Sequence, residues 1–284
     1  YYGAKDRANL SRAIGNCITH TAITSGIIMV IGPLVSKPLL VLLNTPPSIL
    51  NWCADYLNIF FLGGAGFAFY NILAGILRGM GDSFSALVFL LIATTLNVVL
   101  DLLFVTKFNM GVPGVALATV IAQGISAVFC LLKLLRMKES FDLNRAMLKP
   151  TKMHSITLFK LGLPSGLTQA IFSLAMIIVQ SLTNSFGEMV IACNVIVMRV
   201  DGFAMMPNFS FGAAMTTFAG QNIGAKRLDR LDQGTKAGVK LAVAVSTVIT
   251  AILLLFGKNL MRVFTETTEL VELSMRMMRI LAAG

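Results

Sequence analysis

Residues 84–106 read FSALVFLLIATTLNVVLDLLFVT, and Asp101 is the sole charged residue in the run and the sole acid between Asp82 and Glu139. As a helix rising ~1.5 Å per residue, a run of this length crosses the ~30 Å hydrocarbon core of a bilayer. A lone carboxylate buried there is costly unless it is paired or protonated, so an acid kept in such a run is a candidate functional residue. Asn97 stands four residues earlier, which places both side chains on one helical face.

The rest of the chain agrees with a bilayer as its solvent. Its 284 residues are 56% hydrophobic and 13% charged, with a mean hydropathy of +0.80, where soluble domains carry about 25% charge. The chain begins at Tyr1 rather than Met and ends within an apolar pattern at Gly284, so it reads as a fragment truncated at both ends. The net charge of +10 reads as loop charge that sets topology. Lys and Arg are not interleaved with aromatics as a nucleic-acid surface requires. Cys17, Cys53, Cys130 and Cys193 are far apart, with no CxxC pair and no Cys/His cluster. They read as buried thiols, not as disulfides or metal ligands. No His/Asp/Glu cluster, nucleophile motif or phosphate loop is present. The expectation is a non-enzyme with no cofactor.

Apolar runs predict spans at about 13–35, 52–77, 84–106, 114–135, 161–185, 189–217 and 237–256, with an eighth helix starting at 267. Pro38, Pro46 and Pro47 predict a short broken connection over 36–51, and Pro164 predicts a helix start. Loops 1–12, 78–83, 133–160 and 221–240 hold most of the 23 Lys and Arg; the alternate loops hold Lys37, Lys107, Lys258 and Arg262. By the positive-inside rule the first set is cytoplasmic. Asp101, about 25 Å along a helix from Phe84, then lies in the outer half of the membrane.

A repeat organises these spans. Gly3-Ala-Lys5 recurs as Gly224-Ala-Lys226, and the same shift of 221 positions pairs Leu10 with Leu231, Ser25 with Ser246, Lys37 with Lys258, Leu39 with Leu260 and Ile59 with Ile280. The separation is even in membrane crossings, so the copies run parallel, as in transporters built from repeats related by an axis along the membrane normal. The fold class is therefore all-α integral membrane, with two pseudo-symmetric helical lobes and about eight transmembrane helices. The N-terminal lobe is placed at 1–136, a cytoplasmic linker at 137–160 and the C-terminal lobe at 161–284. The linker, with Lys133, Arg136, Lys138, Arg145, Lys149, Lys152 and Lys160 in and beside it, reads as a tether that lets one lobe rock against the other, or as a solvated loop facing anionic lipid.

Gly3-Ala-Lys5, Leu77-Arg-Gly-Met-Gly-Asp-Ser83, Gly111-Val-Pro-Gly-Val-Ala-Leu-Ala-Thr119 and Gly220-Gln-Asn-Ile-Gly-Ala-Lys226, in that order, resemble the motifs of the multidrug and toxic compound extrusion (MATE) transporters. The resemblance runs the whole length of the chain. It implies a fold of twelve helices in two lobes, of which this chain covers about helices three to ten. It implies a monomeric cell-membrane antiporter that exports small organic cations and drugs in exchange for H⁺ or Na⁺ by alternating access. In the DinF-like branch the cation site lies in the N-terminal lobe, and its positions match Asn97, Asp101 and Thr119, with a further acid on a helix outside this sequence. Another branch uses an acid on the helix that corresponds to Leu161–Ser185, which contains none.

A carboxylate, an amide carbonyl and a hydroxyl supply the oxygen ligands that a hard cation prefers, and the same carboxylate can carry a proton instead. An Asp–Asn hydrogen bond at a helix contact is the plainer alternative. Gln169, Gln180, Asn184, Met198, Arg199, Asp201 and Met205 are the candidates for lining a substrate cleft. Met205 and its neighbour Met206 suit a surface that repacks around varied ligands, or they simply pack. Arg199 and Asp201, two apart, do not face each other, so each is expected to pair across helices. His20 is expected to bond between helices. A lipid-linked oligosaccharide flippase of the same superfamily is the alternative function; it needs a cationic cleft, toward which the spans contribute mainly Arg199.

Overall fold

A computed structural model describes residues 1–43, 45–137 and 139–283, the side chain of Ala283 excepted. Lys138 of the predicted linker lies outside the described residues. Among the described residues nine α-helices run in chain order, α1 Arg7–Leu42, α2 Pro47–Leu62, α3 Gly64–Gly79, α4 Ser83–Leu102, α5 Gly111–Arg136, α6 Lys152–Asn184, α7 Glu188–Gly224, α8 Leu228–Arg262 and α9 Thr268–Ala283. A π turn, Leu103–Lys107, extends α4. Among the described residues there is no strand.

The repeat is carried by the backbone. Lys5 and Lys226, 221 apart, both take a left-handed φ of 56°. The Lys5 N–H bonds to the Tyr2 carbonyl at 3.0 Å and the Lys226 N–H to the Ile223 carbonyl at 3.0 Å. Each turn launches a long helix, α1 or α8, and each long helix is followed by a 16-residue helix, α2 or α9. The same shift superposes the start of α1 on that of α8 and the limits of α2 on those of α9.

Among the described residues six helices are long and apolar enough to cross a membrane, and the bent pair α2–α3 makes up to seven. Large apolar side chains such as Leu34, Leu42, Phe84, Leu163 and Leu255 are exposed. Scattered along nearly every helix, they suit a lipid solvent and would be a liability in water. This is a multi-pass membrane protein.

Several boundaries differ from the sequence reading. The connection expected over 36–51 is shorter, because α1 runs through Pro33 and Pro38 to Leu42. Between the two prolines Ser36 Oγ donates to Asn58 Oδ1 of α2 at 2.6 Å and ties this part of α1 to its neighbour. The span expected over 52–77 is two helices bent by 50°. The break falls at Gly63, where the Val120 side chain occupies the space a Cβ would need; beside it, a Cβ on Gly66 would meet the Gly124 backbone at 3.0 Å. Pro164 sits inside α6, not at its start.

The chain divides into two compact units, Tyr1–Leu158 and Phe159–Gly284. In the first, Leu73, Ala74 and Leu77 of α3 pack with Ala127, Cys130 and Leu134 of α5, joined by Ile14 and Phe141. In the second, Val197 and Val200 of α7, Leu253 and Met261 of α8, and Val271 and Met278 of α9 form the core.

The segment after α5 is not a loose tether. Arg7 pairs with Asp142 at 2.9 Å, and the Asp142 N–H donates to Ser11 Oγ at 2.9 Å. The Met147 carbonyl lies where a Cβ on Gly15 would be. Thr19 Oγ1 donates to the Leu148 carbonyl at 2.6 Å, and the Thr151 N–H to Asn16 Oδ1 at 2.9 Å. His20 Nε2 and Ser155 Oγ are 2.8 Å apart, so His20 does bond between helices. Up to Leu158, the stretch predicted as an inter-lobe linker is laced to α1 and belongs to the first unit.

Candidate functional site

Antiparallel helices α4 and α5 build the site, from the C-terminal half of one and the N-terminal half of the other. Asp82 caps α4: its Oδ1 accepts the Ser85 N–H at 3.0 Å and its Oδ2 the Ser85 hydroxyl at 2.8 Å. Two contacts set the register against α5. Ser126 Oγ donates to the Phe89 carbonyl at 3.0 Å, and a Cβ on Gly114 would meet Phe104 Cβ at 3.0 Å. Between them Asn97 Nδ2 donates to Thr119 Oγ1 at 3.2 Å, and Thr119 Oγ1 donates to the Val115 carbonyl at 3.0 Å. The structure thus brings two of the three predicted site residues into direct contact.

Asp101 lies one turn beyond Asn97 on the same face of α4. Its Oδ1 is buried and accepts no hydrogen bond, and among the described residues no ion pair reaches it. A buried carboxylate oxygen without a partner is a standing cost. The plainer Asp–Asn hydrogen bond is not formed; Asn97 gives its amide protons to Thr119 instead. The π turn begins two residues after Asp101. Such turns widen the helix and collect at functional sites.

Sequence reasoning missed Gln123. It stands one turn after Thr119 on α5, and its Oε1 is also buried with no partner. The i,i+4 spacing that joined Asn97 to Asp101 was the signal that could have found it.

The arrangement can do one thing well chemically. It offers a carboxylate, a hydroxyl and amide oxygens from two facing helices, which suits a hard cation or a proton. Among the described residues no three His, Cys, Asp or Glu come together, so the donor set is not one for a transition metal.

The predicted cleft residues lie on α6 and α7. Gln180 Nε2 donates to Asn184 Oδ1 at 2.9 Å, and both are exposed, as is Gln169. Met198, Asp201 and Met205 follow a three- and four-residue spacing, one stripe of α7; Arg199 is exposed on a different stripe. Met205 Sδ accepts from Asn208 Nδ2 at 3.9 Å. Neither Arg199 nor Asp201 is in an ion pair among the described residues, contrary to the expected pairing across helices. An apolar cavity of about 330 Å³ opens in the second unit, lined by Val200, Phe203, Ile249, Leu253, Leu260 and Phe264. It contains no group that would orient an ion.

The chain is 28% identical over 286 residues to the probable multidrug resistance protein YoeA of Bacillus subtilis, covering 98% of the chain and 62% of YoeA. It is 32% identical over 241 residues to the probable multidrug resistance protein YpnP of the same organism, covering 84% and 54%. The chain therefore spans less than two thirds of the length of these relatives. Among solved structures it superposes on a MATE in the bent conformation with a TM-score of 0.86 at 23% identity, covering 99% of the chain and 65% of that protein. An outward-facing multidrug resistance MATE family transporter of the MOP superfamily gives a TM-score of 0.84 at 24% identity, with 99% and 66% covered. A family model described as MatE matches residues 1–103 and 164–284. Matched through most of both units, the chain belongs to the MatE family.

Proposed function

We propose that the whole protein is a monomeric secondary antiporter of the cell membrane that exports small organic cations and drugs in exchange for H⁺ or Na⁺ by alternating access. The observation that carries this is the buried, unpartnered Asp101 Oδ1 beside the Asn97–Thr119 hydrogen bond. A residue this costly earns its place by receiving a positive charge during the cycle. The relatives named for multidrug resistance support the export of varied substrates. The basic loops face the cytoplasm, so Asp101 takes its cation from outside. Binding there favours a state of the first unit with weaker hold on the substrate, since a ligand shifts an equilibrium only by its differential affinity for the two states. Gln169, Gln180, Asn184, Met198, Arg199, Asp201 and Met205 are our assigned substrate contacts, with Asp201 drawing the cationic end.

The test is efflux of a cationic dye by the full-length protein in proteoliposomes, with Na⁺ and pH gradients imposed separately. Asp101→Asn should remove the gradient-driven part of efflux. Export by this variant at the wild-type rate would sink the assignment. Efflux indifferent to both gradients would turn attention to the flippase, which no observation here favours.

A further inference from the structure

The Asn97–Thr119 contact has polar neighbours on both sides. Helices α4 and α5 run antiparallel in the register set by Ser126–Phe89 and Gly114–Phe104. Asp101 therefore stands one turn from Asn97 toward the π turn. Gln123 stands one turn from Thr119 in the opposite direction, toward the end that carries the 78–83 turn. Each step is four residues, or about 6 Å along the helix axis. The result is a column of three tiers in the seam of α4 and α5, with Asp101 at one end, Asn97 and Thr119 in the middle, and Gln123 at the other end.

Both ends of the column carry a buried oxygen that accepts no hydrogen bond, Asp101 Oδ1 and Gln123 Oε1. Buried acceptors are nearly always satisfied, so two in one seam are unusual. They differ in chemistry. A carboxylate binds a proton or a metal cation. A carboxamide oxygen is not protonated at physiological pH, yet it is a good neutral ligand for a dehydrated monovalent cation, as rows of carbonyl oxygens are in selective pores.

We infer that Gln123 is an inner binding position for a monovalent metal cation of the Na⁺ class. The cation enters at Asp101 and is held further in by the carboxamide, and Gln123 makes the column respond to Na⁺ in a way that a proton carried by Asp101 alone does not. This rests on the antiporter reading for its place in a transport cycle, but not for the binding itself.

The experiment measures equilibrium binding of radioactive sodium to the purified full-length protein, and separately dye efflux under Na⁺ and pH gradients. Gln123→Leu should weaken sodium binding by about tenfold or more, the scale seen when a supporting ligand is lost. It should lower Na⁺-driven efflux by a larger factor than pH-driven efflux. Gln123→Glu keeps the oxygen and the length, so it should bind sodium at least as well as wild type. If Gln123→Leu fails to fold, the glutamate variant carries the test through a sodium affinity that rises with pH. A wild type that binds no sodium overturns the inference, as does wild-type sodium affinity in the leucine variant or, where the glutamate variant carries the test, a sodium affinity that does not change with pH. An equal fall in both gradient arms also overturns it. The antiporter reading falls on a different result, Asp101→Asn protein that exports dye under either gradient at the wild-type rate.

Discussion

Helices α1 and α2 and helices α8 and α9 follow the same backbone course, yet their side chains serve different ends. In its N-terminal half α1 presents Ser11, Gly15, Asn16 and Thr19, each engaged by the segment 142–151. The matching positions on α8 are Asp232, Lys236, Ala237 and Lys240, and there Lys236 and Asp232 form an exposed ion pair at 2.7 Å. The helix starts differ too. Asp6 caps α1 by accepting the Asn9 N–H, whereas α8 has no side-chain cap and places Asp229 in its first turn beside Arg227. A duplicated backbone thus leaves the choice of surface chemistry free. The first copy uses it to hold a loop and the second to face water.

The largest expected effect comes from writing the second copy's residue into the first. Gly15→Lys, as at Lys236, puts a Cβ into the Met147 carbonyl. Backbone cannot move aside as a side-chain end can, so the cost should be at least about 3 kcal/mol. The melting temperature of the full-length protein should fall sharply, and limited trypsin digestion should cut at Arg145 or Lys149. An intact segment with an unchanged melt would show that the lacing is incidental.

A smaller effect tests how each copy joins its long helix to its short one. In the second copy a Cβ on Gly257 would meet Met275 Sδ at 2.6 Å; the equivalent positions in the first are Ser36 and Ala54, both buried. The larger side chain thus stands on the long helix in the first copy and on the short helix in the second. Gly257→Ser alone should cost about 1–3 kcal/mol by overpacking. Adding Met275→Ala should recover part of that, giving a coupling of about 1 kcal/mol in a double-mutant cycle followed by thermal melts. Strict additivity would sever the two positions.

The smallest effect concerns the helix starts. Arg227 donates to both carboxylate oxygens of Asp229, at 3.0 and 2.9 Å, and holds the Asp229 carboxyl at about 2, below its ordinary 3.8. For a depressed carboxyl, what the ionised group contributes is present above 3.8 and disappears as pH falls from there through about 2. Arg227→Ala should move the titration midpoint up toward 3.8, read by NMR of the carboxyl carbon. The Asp6 carboxyl, lowered mainly by the Asn9 side chain, should not respond.

These contrasts show where sequence reasoning reaches. The apolar runs placed every long helix, because the demand for a ~20-residue apolar length in a bilayer acts residue by residue. The Gly-Ala-Lys recurrence exposed the repeat, because a left-handed turn at Lys5 and Lys226 needs the same local residues twice. Asn97 and Thr119 were legible as partners only with the family resemblance, since nothing local joins residues 22 apart. The break at Gly63 and the passage of α1 through Pro33 and Pro38 were not legible. The first depends on what packs against the helix, the Val120 side chain; for the second, the two prolines are a local signal to stop that the helix overrides. Gln123 was overlooked because its burial without a partner is a property of the assembled bundle.

The lacing of residues 142–155 onto α1 also has a place in time. Its hydrogen bonds join residues 129 to 139 apart in the chain. At ~5–20 residues per second of synthesis, roughly ten seconds separate the two sides of each bond. During that interval α1 has been made but the 142–155 groups that Asn16 and Thr19 later bond have not. The first unit closes only when the start of α6 emerges, so its assembly is gated by the last part of itself to be made.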